Sequence, residues 1–189
     1  MNKIVIFASG SGTNAENIIK YFDNKDCGTI VSVFTNNPNA KVIERAKNLH
    51  VPAEIFSKEE LKEGIVLQIL DVIKPDWIIL AGFLLKLPEN ITKQYPNKIL
   101  NIHPALLPKY GGKGMYGMNV HKTVVENKEK ETGITIHFVN ENYDEGNIIY
   151  QKTVALSGTE TPEIVAEKIH ELEQRYFPKV IEKLITKTI

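Results

Sequence analysis

Two side chains at the end of an apolar run set the first chemical expectation. Asn101 and His103 follow one another at a spacing of two in Leu100-Asn101-Ile102-His103-Pro104-Ala105-Leu106-Leu107-Pro108. In an extended chain that spacing turns both side chains to the same side. Pro104 also biases His103 toward an extended backbone. A histidine exchanges protons near neutral pH, and an asparagine amide is a fixed neutral donor. Together they suit an oxygen that gains charge during acyl transfer. Downstream, Asp144-Glu145-Gly146 lies in a turn between two strand-like runs. A carboxylate there could orient His103 or a water and help remove a proton. It could equally cap its own turn, and the spacing leaves both readings open. His137, in Thr135-Ile136-His137-Phe138-Val139, points away from the face shared by Ile134, Ile136 and Phe138. It could support the pair from behind or be a hydrogen-bonded histidine with no such role. His50, His121 and His170 lie in or beside helical patterns and read as surface or packing residues. No His/Asp/Glu set has metal-ligand spacing, so no metal is expected.

A second feature is Ser9-Gly10-Ser11-Gly12-Thr13-Asn14, between the first strand-like run and the first helical one. Glycines let the backbone turn tightly and come close to a ligand. Free N–H groups at a helix start suit a phosphate. The loop lacks the Gly-Lys-Ser/Thr of a Walker motif. Ala15 stands where a dinucleotide fingerprint has its third glycine, and no acidic residue ends the second strand. A phosphate site is the favoured reading, against a plain tight turn.

The elements that must position these groups alternate. Residues 3–8, 29–35, 53–56, 77–81 and 98–102 read as strands. Residues 14–22, 41–49 and 59–73 read as helices, the last ended by Pro75. Strands separated by helices imply an α/β fold with a mostly parallel twisted sheet flanked by helices. Residues 132–139 and 147–156 are strands joined by a short turn, so the last strands should be partly antiparallel. A long helix starts at Thr161-Pro162, with Val165, Ile169, Leu172 and Tyr176 at helical spacing, and Pro178 should kink or interrupt it.

At 189 residues the chain fits a single domain, 1–189. Its 23 basic and 23 acidic residues balance, which gives no general attraction to nucleic acid. One cysteine, Cys27, excludes an intrachain disulfide and a thiolate metal site. The first residues lack the apolar core of a signal peptide, and no apolar run reaches the ~20 residues needed to span a bilayer. The expectation is a cytoplasmic protein with no membrane or nucleic-acid partner, monomeric or weakly homodimeric.

The segments just quoted, with Leu80-Ala81-Gly82-Phe83, resemble the folate-dependent formyltransferases in order along nearly the whole chain. Asn-x-His-Pro-x-Leu-Leu-Pro is specific for that family, and the Gly-Ser-Gly-Thr-Asn loop points to its glycinamide ribonucleotide branch. The resemblance implies a Rossmann-like formyltransferase fold, with a phosphate-binding half at 1–100 and a catalytic and folate-binding half at 101–189. It implies formyl transfer from 10-formyltetrahydrofolate, as co-substrate, to the amine of glycinamide ribonucleotide in purine biosynthesis. Asn101, His103 and Asp144 correspond to the catalytic trio. Gly12, Thr13 and Asn14 correspond to the phosphate cradle, and Glu173 to the ribose contact. Leu84, Leu85, Leu87, Val139 and Asn140 correspond to the folate pocket, and Leu107-Pro108 to a cis peptide bond. The chain departs from the family at Leu85, where relatives often carry arginine. It departs again at Tyr110-Gly111-Gly112-Lys113-Gly114-Met115-Tyr116-Gly117, whose four glycines suggest mobility. Three other proteins would share parts of this pattern. Methionyl-tRNA formyltransferase usually adds a basic domain after the last helix. Formyltetrahydrofolate deformylase usually adds a regulatory domain before the first strand. A non-catalytic phosphate-ligand-binding domain would use the glycine loop alone.

Overall fold

Short apolar runs rich in β-branched residues form the centre of a seven-stranded sheet in the computed structural model, which describes residues 1–142 and 144–187. The strands are β1 (Asn2–Phe7), β2 (Gly28–Thr35), β3 (Ala53–Ile55), β4 (Trp77–Leu80), β5 (Ile99–His103), β6 (Glu131–Phe138) and β7 (Ile148–Ala155). Their order is β3-β2-β1-β4-β5-β6-β7. The first five run parallel, and β6 and β7 pair antiparallel, as the sequence implied. The helices are α1 (Thr13–Phe22), α2 (Lys41–Asn48), α3 (Lys58–Glu63), α4 (Ile65–Ile73), α5 (Glu89–Gln94), α6 (Met118–Glu126) and α7 (Pro162–Ile185).

Alternation along β1 separates two cores. Ile4 and Ile6 face one side with α1, α2, α6 and α7, and Val5 and Phe7 face the other with α3, α4 and α5. Both faces of the central strands are therefore buried, which is why they read as continuous apolar runs. Successive connections leave β1 for β2 on one side and β4 on the other. Open α/β sheets bind ligands at such a switch point, beyond the carboxyl ends of the strands. Among the described residues no helix is long and apolar enough to cross a membrane.

Two expectations need correction. Residues 59–73 form two helices, because Gly64 sits at φ 87° in the left-handed region and ends α3 just as α4 begins. Ser57 closes a capping box with Glu60 at the start of α3. Pro178 does not interrupt α7, which runs on to Ile185 with Pro178 buried inside it. Proline lacks the N–H that would bond the carbonyl four residues back, at Gln174. The Asn17 side-chain amide on α1 donates to that carbonyl at 2.8 Å instead. Leaving a carbonyl without a donor costs ~1–3 kcal/mol when fully buried, and this one is part-buried. Asn17→Ala should lower unfolding stability in urea by the lower part of that range, and an unchanged midpoint would remove Asn17 from this role.

Candidate active site at the switch point

One cleft of about 770 Å³ lies beyond the carboxyl ends of β1, β4 and β5. Its wall includes Gly12, Thr13, Asn14 and Glu173 at one end. Asn101, His103, His137 and Asp144 are also in the wall, with Leu84, Leu85, Leu87, Val139 and Asn140. All the site residues expected from the sequence thus border a single cavity. Leu84, Leu85 and Leu87 come from the loop after β4, and Glu173 from α7. The N-terminal glycine loop and the C-terminal helix thus meet at one end of the cleft, where Asn14 bonds Glu173.

The loop after β1 is rigidly seated. Gly12 takes φ 73° as the residue before α1, and no side chain caps the helix. The first-turn N–H groups of α1 therefore have no side-chain cap, the arrangement that suits an anion. Arg45 Nε donates to the Ser11 carbonyl at 2.9 Å, and Val42 N–H donates to the Gly10 carbonyl at 3.2 Å. The one acid in that turn, Glu16, is engaged by Lys20 at 2.6 Å and by Arg45. Asn14 is committed elsewhere through its side chain: its amide donates to Glu173 Oε2 at 2.8 Å, and its carbonyl oxygen accepts from Gln174 Nε2 at 2.8 Å. The side chain of Asn14 is thus engaged within the protein, and its backbone N–H lies in the first turn of α1. Ser9 ties this loop to the loop after β4, because Ser9 Oγ accepts from Leu84 N–H at 2.9 Å and donates to Asn36 Oδ1 at 2.6 Å.

Asn101 and His103 project from β5, and Asn101 lies opposite His137 on β6. His137 Nδ1 donates to the Phe138 carbonyl at 2.8 Å, so its Nε2 is left to accept from the Asn101 amide at 3.1 Å. Asp144 sits at φ 55°, between the two histidines. Its Oδ2 lies 3.6 Å from His103 Nδ1, and its Oδ1 lies 3.6 Å from His137 Nε2. Gly112 N–H donates to Asp144 Oδ2 at 2.9 Å. Burial pushes the Asp144 carboxyl up, but the Gly112 N–H and the positive charge of either neighbouring histidine, when it carries one, hold it below its ordinary value. His103 Nε2 lies 2.7 Å from the Tyr110 carbonyl, which can only accept, so Nε2 carries a proton. Burial pushes His103 down despite the Asp144 carboxylate and the Tyr110 bond, so the resting ring is neutral near pH 7. Its Nδ1 then holds a free lone pair beside Asp144.

His170 is exposed and His121 buried, as expected of surface or packing residues, and both also border the cleft. His121 is buried on α6, and among the described residues its Nδ1 has no partner. His170 Nδ1 lies 3.6 Å from Glu173 Oε2, which raises its pKa. Lys86 and Lys113 also line the wall. Leu85 packs partly buried against the second core, while its neighbour Lys86 is exposed. The Leu107-Pro108 bond is cis. Among the described residues no three His, Cys, Asp or Glu side chains are grouped to hold a metal ion.

The chain as a whole resembles known proteins in sequence and fold. A family model described as formyl transferase matches residues 2–181. A phosphoribosylglycinamide formyltransferase of Bacillus subtilis is 34% identical, over 98% of this chain and 95% of its own length. A chloroplastic one of Arabidopsis thaliana is 37% identical over 95% of this chain, which spans 64% of that protein's length. The crystal structure of glycinamide ribonucleotide transformylase 1 from Geobacillus kaustophilus superposes with a TM-score of 0.89 at 34% identity, covering 98% of this chain and 99% of that one. By sequence and by fold, this chain belongs to the formyl transferase family, on its phosphoribosylglycinamide formyltransferase branch.

Proposed function

We propose that the chain transfers the formyl group of 10-formyltetrahydrofolate to the amine of glycinamide ribonucleotide, a step in purine biosynthesis. One observation carries this reading: an open helix N-terminus suited to a phosphate and the Asn101–His103–Asp144 cluster share a single cleft. The phosphate rests on the N–H groups of Thr13 and Asn14, and Glu173 accepts from the ribose hydroxyls. The folate lies against Leu84, Leu85, Leu87, Val139 and Asn140. Lys86 and Lys113 supply cations for its glutamate carboxylates in place of an arginine at position 85. All the residues assigned to the cleft come from one chain, which suits a monomer or weak dimer, and the proposed location is the cytoplasm. No metal takes part in the proposed chemistry.

The chemistry follows from the resting protonation states. The neutral amine attacks the formyl carbon, and a tetrahedral intermediate forms with negative charge on the former carbonyl oxygen. His103 Nδ1 takes the proton that the attacking nitrogen sheds, and Asp144 stabilises the resulting imidazolium. The Asn101 amide and the imidazolium hold the oxyanion. The carbon–N10 bond then breaks, N10 takes the proton from His103 through Asp144 or a water, and His103 returns to neutral. Holding both substrates together supplies much of the acceleration.

The test is a product assay with purified protein and 10-formyltetrahydrofolate, with and without glycinamide ribonucleotide. Formylated ribonucleotide and tetrahydrofolate should appear in equal amounts, and only with both substrates present. Tetrahydrofolate released without the ribonucleotide would mark a deformylase. No product under either condition would leave a binding domain.

A further inference from the structure

Both groups that flank the proposed proton path are tied to one turn. The Tyr110 carbonyl accepts from His103 Nε2 at 2.7 Å, and Gly112 N–H donates to Asp144 Oδ2 at 2.9 Å. Tyr110 lies at φ 58°, in the left-handed region. A bulky residue stays there only when its surroundings fix it. The anchors are polar and lie just past the end of α6. Tyr110 Oη donates to Glu129 Oε1 at 2.7 Å, and Asn127 Nδ2 donates to Tyr110 Oη at 3.0 Å. The ring itself packs against the larger core. None of these three side chains borders the cleft, so substrate contact does not account for the arrangement.

We propose that Tyr110, Glu129 and Asn127 form a clamp that positions His103, holding a backbone carbonyl on Nε2 so that the ring exchanges protons only through Nδ1. The inference rests on reading His103 as the proton acceptor. Its physical logic is that the hydrogen bond on one ring nitrogen sets which tautomer the other presents. Without the carbonyl, the proton could sit on Nδ1, and the ring would face the substrate amine as a donor. That form cannot accept the proton the amine sheds.

Several charges act on His103 besides the clamp. Asp144, from the loop after β6, and Glu173, on α7, favour the protonated ring. His137 on β6 and His121 on α6 oppose it. The Tyr110 carbonyl favours it, so weakening that bond lowers the pKa of His103.

Tyr110→Phe and Glu129→Ala test the clamp in the full-length chain. The measurements are kcat, KM for each substrate, the pH profile of kcat/KM, and the ¹⁵N signals of the His103 ring across pH. Both variants should lose about tenfold in kcat, the scale of one weakened hydrogen bond to a group that becomes charged. KM for the ribonucleotide should stay within about twofold, because no clamp residue borders the cleft. The acid limb of kcat/KM should move to lower pH, and the ring should show both tautomers instead of Nε2–H alone. Lys109→Met removes the 3.0 Å pair with Glu129 but leaves the tyrosine hydroxyl bonded, and it should match the unmodified chain. If Tyr110→Phe does not fold, Glu129→Ala at the surface carries the test. Unchanged tautomer and pH profile in both variants would overturn the clamp. If the unmodified chain transfers no formyl group, the proposed function fails instead, and the ring signals still decide the clamp.

Discussion

Asp144→Asn should lower kcat about a thousandfold while leaving KM for glycinamide ribonucleotide within about threefold. Acid–base assistance of this kind is typically worth ~10²–10⁴ in rate. The substitution is nearly isosteric, and the amide oxygen can still accept from Gly112 N–H, now 2.9 Å from Oδ2. Folding should therefore survive. The charge between two buried histidines is what disappears. Burial then acts on His103 without its main opposing charge, so the ring becomes a weaker base and its imidazolium loses its partner. Steady-state kinetics with both substrates varied separates the two parameters. Retained turnover, or a loss confined to KM, would contradict the proton path.

The second large effect should come from Gly12→Ala, at the other end of the cleft. A Cβ there would lie 2.4 Å from Val42 Cγ2, 2.5 Å from its Cβ and 2.7 Å from its Cα. The backbone contact cannot be relieved by a rotamer change. The position also has φ 73°, which an L side chain adopts at a penalty of ~1–2 kcal/mol. Overpacking adds about 1–3 kcal/mol, so the total loss of stability should be roughly 2–5 kcal/mol. The loop must shift to admit the methyl group, and the N–H groups of Thr13 and Asn14 shift with it. KM for the ribonucleotide should rise about tenfold or more, the scale of lost charge-assisted bonds, while KM for the folate changes little. Urea unfolding and kinetics on the same sample read both effects. An unchanged KM for the ribonucleotide would remove the loop from phosphate binding.

How far the sequence went depended on how local each signal was. The apolar runs of β1, β4 and β5 are buried on both faces, and they were legible because such burial leaves no polar alternation. The helix over 59–73 was misread because one glycine inside an apolar period looks tolerable until its φ is known. Residues 89–94 and 118–126 were not read as helices. The first is a single short stretch behind Pro88, and the second follows a glycine-rich run that masks its buried Val120 and Val124. Pro178 was expected to kink or interrupt α7, and the helix is not interrupted because the carbonyl it leaves without a donor, at Gln174, is met by Asn17, 157 residues away from Gln174. At the site, Asn101 and His103 stood out by spacing and Asp144 by its turn. The tie between His103 and Tyr110 is made by a backbone carbonyl, which has no residue-type signature. His121 was read as a surface or packing residue, and its place on the cleft wall had no signal because the bounds of α6 were not read.

A structure of the protein with bound glycinamide ribonucleotide tests the central claim most directly. The phosphate should sit on the first-turn N–H groups of α1, with the glycyl amine within hydrogen-bonding reach, about 3 Å, of His103 Nδ1 or of a water bonded to it. A phosphate bound away from Gly12, or an amine directed out of the cleft away from His103 and Asp144, would contradict the account.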